Sequence, residues 1–169
     1  MRRLLVSAAA CLSLGVIACS AGAASPLDGK TYIIEISSSQ SASGYAAYLI
    51  PPLAREIAKA GLRPVKPGPG ADVVFNIVTH SDIGRWMETK TGREWLYTVT
   101  ITTGISPESY VIPFEGTPQF GVAVTLTTPN SDREDELACL IGLATREAIA
   151  RYRPTGIVAL SGQSCLRRP

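Results

Sequence analysis

The chain has 169 residues, with 16 Lys+Arg against 14 Asp+Glu and a formal charge of +2. Arg2 and Arg3 carry that excess; from Ser25 onward the two signs balance at 14 each. A balanced chain lacks the clustered cations on which nucleic-acid binding rests, so no nucleic acid is expected as a partner. The roughly 145 residues from Ser25 onward suit one domain with a workable core.

In chain order, Met1-Arg2-Arg3 is a basic start and Leu4–Ala18 an uncharged, mostly apolar run. The small residues Cys19–Ala24 follow, before Ser25-Pro26-Leu27-Asp28. This is the order of a secretory signal peptide over 1–24, preceding a single domain over 25–169. Two cleavage points compete, one near Ala24 and one before Cys19. A retained anchor stays open as well, since Leu4–Ala24 approaches the ~20 residues a membrane span requires. Val16-Ile17-Ala18-Cys19 resembles the lipobox of bacterial lipoproteins, in which the cysteine becomes the acylated first residue. The resemblance implies lipidation at Cys19 and, because Ser20 follows, tethering of a periplasmic domain to the outer membrane. Export also sorts the four cysteines. Cys11 is lost in either cleavage, which leaves Cys139 and Cys165 as an even pair in an oxidising compartment, where a disulfide is expected.

Thr31–Ser37 alternates, with Tyr32, Ile34 and Ile36 on one face, and reads as a first strand. After the serine-rich loop Ser37–Gly44, the residues Tyr45, Tyr48, Leu49, Leu53, Ile57 and Ala60 recur at helical spacing. Pro51-Pro52 should start that helix or kink it, and Gly61 with Pro64 should stop it. Leu62–Val65 is a short extended piece before the Lys66–Gly70 turn. Three strands follow. Asp72–His80 turns Val73, Phe75 and Ile77 inward; Glu94–Thr103 turns Trp95, Tyr97, Val99 and Ile101 inward; Phe120–Thr127 turns Phe120, Val122, Val124 and Leu126 inward. Between the last two, the apolar loop Ile105–Thr117 is expected to fold back over the sheet.

Ser131-Asp132-Arg133-Glu134 fits a capping box at the start of a second helix. Its acidic first turn and terminal Arg151 and Arg153 complement the helix dipole. Leu137, Leu140, Ile141, Ala144, Ala148 and Tyr152 form its buried stripe. Cys139 lies about 200° from Leu137 around that helix, so the tail must cross the helix's outer flank for Cys165 to reach it. Gly156–Leu160 is a candidate last strand, and the Arg167-Arg168-Pro169 end has too few charges for a lipid-binding patch.

The passages Lys59-Ala60-Gly61 and Ala71-Asp72-Val73, in this β-α-β-β-β-α order, resemble small Gram-negative envelope lipoproteins that share a domain of unknown function. The likeness covers about half of the exported part and implies no catalytic residues. Pro51-Pro52 and the disulfide-linked tail depart from it. No Gly-x-Ser-x-Gly, His-Glu-x-x-His, phosphate loop or Cys-x-x-Cys occurs.

The densest chemistry lies between His80 and Trp95. His80 and Asp82 share a strand face, where a carboxylate orients an imidazole or begins a metal site. A metal takes three or four ligands and only two are visible, so neither metal nor cofactor is expected. Arg85 and Trp86 are anchors of the kind interfaces use, which makes His80, Asp82, Arg85 and Trp86 the candidate binding surface. The sequence thus predicts an α+β two-layer sandwich, with two helices on one face of a four- or five-stranded mixed sheet. Its opening strand–helix–strand unit should cross over right-handed. The leading functional reading is a non-catalytic envelope lipoprotein that binds or supports another envelope protein. A hydrolase using His80 and Asp82, and a periplasmic small-ligand binder, are the alternatives.

Overall fold

The structure, a computed structural model, describes residues 25–36, 46–67, 70–107 and 119–166. Residues 1–24 with Cys19, the Ser37–Gly44 loop, most of the Ile105–Thr117 loop and Arg167–Pro169 lie outside the described residues.

The fold is α+β. Its strands are β1 (Thr31–Ile36), β2 (Arg63–Pro64), β3 (Val73–Ser81), β4 (Arg85–Thr89), β5 (Gly92–Pro107), β6 (Phe120–Thr128) and β7 (Gly156–Ser161). Its helices are α1 (Ala46–Lys59) and α2 (Glu134–Ala150), with a short 3-10 turn at Gln163–Cys165. The strands form one mixed sheet in the order β2-β1-β3-β5-β6-β7, and β4 pairs with β5. Seven strands replace the four or five expected. The candidate last strand Gly156–Leu160 is present as β7; beyond those five, the additional ones are the two-residue β2 and the hairpin arm β4, each too short or too exposed to carry a strong apolar pattern.

Alternation decides which face is covered. Val73, Phe75 and Ile77 of β3, Val99, Ile101 and Ile105 of β5, and Phe120, Val122, Val124 and Leu126 of β6 share one buried cluster with the helices. Leu49, Leu53 and Ile57 of α1 and Leu140, Ile141, Ala144 and Ala148 of α2 close that cluster. Buried hydroxyls of Thr103 and Thr145, 3.2 Å apart, join β5 to α2. The helix-free face is buried only at one end, at Val74, Asn76, Gly104, Ser106 and Gly121, while Val78 and His80 are exposed.

Two local expectations need correction. Helix α1 runs through Pro51 and Pro52 instead of starting there. The missing N–H groups leave the carbonyls of Ala47 and Tyr48 without helical donors, and both residues are exposed to water. The capping box does not form: α2 starts at Glu134 with Arg133 as its cap residue and no side-chain cap bond. Glu136 secures that end. Buried, it accepts at Oε1 from Thr128 Oγ1 (3.1 Å) and Asn130 Nδ2 (2.6 Å), which fastens the end of β6 to the helix.

Cys139 and Cys165 form the expected disulfide. Strand β7 lies parallel to β6, and the 3-10 turn then brings Cys165 back to the exposed flank of α2 at Cys139. A disulfide of this kind suggests an oxidising compartment. Among the described residues no helix is long and apolar enough to cross a membrane.

Candidate functional site

β3 and β4 are two halves of one arm. β3 pairs with β5 from Val73 opposite Pro107 to Ser81 opposite Val99, and β4 continues from Arg85 opposite Leu96 to Thr89 opposite Gly92. Asp82, Ile83 and Gly84 therefore face only Tyr97 and Thr98, which makes a β-bulge. Asp82 stabilises it: its Oδ1 accepts from the N–H groups of Thr98 (2.8 Å) and Gly84 (3.1 Å). The Thr98 N–H above all, assisted by Gly84, the Thr98 hydroxyl and nearby Arg85, holds the Asp82 carboxyl below the usual carboxylate range. The bulge pushes Ile83 out to 91% exposure.

Gly84 has φ +83, and a Cβ there would stand 2.3 Å from Trp95 Nε1 and 2.9 Å from Tyr97. The position requires glycine on both counts: the backbone is left-handed, and aromatic rings lie directly over it.

Beyond the bulge the hairpin extends past the helices. Trp86 lies directly opposite Trp95, with ring centroids 5.6 Å apart in edge-to-face contact. The guanidinium of Arg93 sits 5.6 Å from the Trp86 ring centre and that of Arg133 sits 4.7 Å from Tyr97. Trp86, Trp95 and Tyr97 thus form a row of rings on one face, flanked by the guanidinium groups of Arg93 and Arg133. This face continues the buried face of β5, which corrects the expectation that Trp95 and Tyr97 lie in the core beside Val99 and Ile101. They point the right way, but the helices end before covering them, so Trp95 is 39% and Trp86 55% exposed.

Each sequence-derived candidate now has a place. His80 and Asp82 do not form a dyad: no hydrogen bond joins them, His80 lies exposed opposite Thr100, and Asp82 is committed to backbone N–H groups. Arg85 is exposed opposite Leu96, on the face away from the tryptophans. Trp86 alone of the four joins the aromatic row. Arg93, Trp95, Tyr97 and Arg133 are the members that sequence reasoning left out. The i, i+2 spacing of Arg93, Trp95 and Tyr97 carried the signal; where the helices end did not show. Among the described residues no group of acidic, His or Cys side chains is arranged to hold a metal.

A groove of about 470 Å³ opens between the first turns of α1 and α2. Tyr48, Pro51 and Pro52 form one wall, Leu137 and Ala138 the other, and Arg133 belongs to its rim.

No family model matches the chain, and no curated protein matches it. Among solved structures, a PDZ domain protein from Parabacteroides distasonis ATCC 8503 is similar at 10% identity and a TM-score of 0.44. The match covers 75% of this chain and 33% of that one, so the chain spans about a third of that protein's length. At this identity and score the likeness transfers nothing to this chain.

Proposed function

We propose that the protein is a non-catalytic component of a bacterial envelope, whose β4–β5 hairpin holds another envelope protein. The observation that carries this reading is the uncovered row of Arg93, Trp86, Trp95, Tyr97 and Arg133. Large aromatic and arginine side chains exposed together are what interface hot spots are made of. Asp82 and Glu94 have structural occupations instead, Glu94 being held by the hydroxyls of Thr89 and Thr91. In this reading 1–24 is an export signal, and Cys19 carries a lipid that tethers the domain to the outer membrane from the periplasmic side.

Affinity capture from detergent-solubilised envelopes tests it. Trp86→Ala is expected to keep the melting temperature and lose the captured partner; an equal loss of melting temperature would assign Trp86 to packing and overturn the reading. The intact mass of the same preparation checks the tether, expected as acyl groups on a chain that starts at Cys19. An unmodified chain starting near Ala24 would remove the lipid and leave the binding proposal in place. The groove beside Tyr48 supports a second reading, a binder of a small ligand with an apolar body.

A further inference from the structure

β5 is 16 residues long, but its two edges are covered unequally. β3 and β4 follow one edge as far as Gly92, whereas β6 follows the other only from Ile105 to Tyr97. Thr98 gives its N–H to Asp82 Oδ1 and its carbonyl accepts from Asp82 N. Backbone groups alternate along a strand, so the even-numbered residues of β5 address β3 and β4, and the odd-numbered ones address the opposite edge. Below Tyr97 that leaves the N–H and C=O of Arg93 and Trp95 pointing from an edge along which no described strand runs. Such an edge is a template for another strand.

We propose that this edge takes an extended segment of another polypeptide, added antiparallel to β5 in line with β6. The inference rests on the binding reading above and specifies its partner. Residues directly opposite one another share a face and interact. The incoming segment therefore sets one side chain beside Arg93 and another, two positions away, beside Trp95. Arg93 lies opposite Glu88 of β4 but forms no ion pair with it or with any other described residue. Its guanidinium rests over Trp86 instead, so it still favours a carboxylate on its open side; Trp95 favours an aliphatic or aromatic group. The recognised pattern is an apolar residue and an acidic residue separated by one position. A second copy of this chain fits poorly. The two-fold pairing that sets Arg93 against Trp95 centres on Glu94 and brings two carboxylates directly opposite each other, which is destabilising.

The test uses the exported protein and a pair of short fluorescein-labelled peptides of alternating Thr and Val. One carries Leu and Glu two positions apart at its centre, and the other has Lys in place of that Glu. The Glu peptide is expected to shift the NMR signals of the Arg93 and Trp95 amides and to bind about fivefold more tightly than the Lys peptide. Arg93→Glu, which keeps the backbone donor, is expected to reverse that preference. Equal binding of both peptides, absence of binding up to millimolar peptide, or shifts centred elsewhere would overturn the proposal. So would a concentration-dependent shift of the same two amides without peptide, which would identify a second copy as the occupant. If the peptides fail while Trp86→Ala still abolishes envelope capture, the strand-addition proposal falls and the functional reading stands.

Discussion

One oxygen of Asp82 holds the bulge together, and its charge matters as much as its position. Its folded pKa lies below the ordinary carboxyl value of about 3.9, so the folded protein holds this proton less tightly than the unfolded chain does. The resulting stability is complete above the unfolded value and is lost as pH falls through the depressed folded one. Asp72 behaves in the same sense, its carboxylate taking the N–H and hydroxyl of Thr31 at the start of β1. Melting temperatures measured from pH 6 downward should fall more steeply in the wild type than in Asp82→Ala, which begins lower and loses less. Asn76 poses the opposite case. It is 1% exposed, and among the described residues neither amide atom has a hydrogen-bond partner. Burying an unpaired amide costs about 1–3 kcal/mol, so Asn76→Val is expected to raise the unfolding free energy in urea titrations; a loss of stability would reveal a partner for that amide.

At the scale of elements, periodicity was a sound guide to faces and a poor one to ends. Tyr32 and Ile34 share the buried side of β1 with Phe75 across the pair, and β6 alternates as expected. The strands β3, β5 and β6 were legible because one face of each is covered. Helix α1 ran past two prolines because its amphipathic packing outweighs two missing hydrogen bonds near an exposed end. The capping box failed for a related reason. Glu136 recurs four residues before Leu140 on the buried stripe, and the hydrogen bonds it takes from Thr128 and Asn130 decide where α2 begins. A charged residue on a buried stripe reads from sequence as a surface group, because its partners lie on another element. The candidate site was half legible for the same cause. The hairpin between His80 and Trp95 stood out by composition, but the membership of its aromatic row depends on where α2 begins and on Arg133 reaching Tyr97.

For the whole molecule, the disulfide closes a segment with a sequence separation of 26, which contains most of α2 and all of β7. Constraining a loop of that length is worth about 3 kcal/mol in the chain-entropy account. Reductant, or Cys139→Ser with Cys165→Ser, is expected to lower stability by that order in denaturant titration, with the sheet order retained. The pairing was foreseeable without geometry, on the expectation that an export signal would remove or occupy the other two cysteines. The size of the sheet was not, because β2 and β4 owe their pairing to neighbours and not to their own pattern.

The length of β5 has a mechanical consequence. About 50 Å of continuous strand joins the Lys90–Thr91 turn to the centre of the sheet, with nine paired positions against β3 and nine against β6. Those hydrogen bonds lie across the strand, so tension applied at the hairpin loads them side by side, not one after another. A partner pulling on this arm would draw against many rungs at once, and the hairpin can serve as a handle that transmits force into the fold without unzipping it.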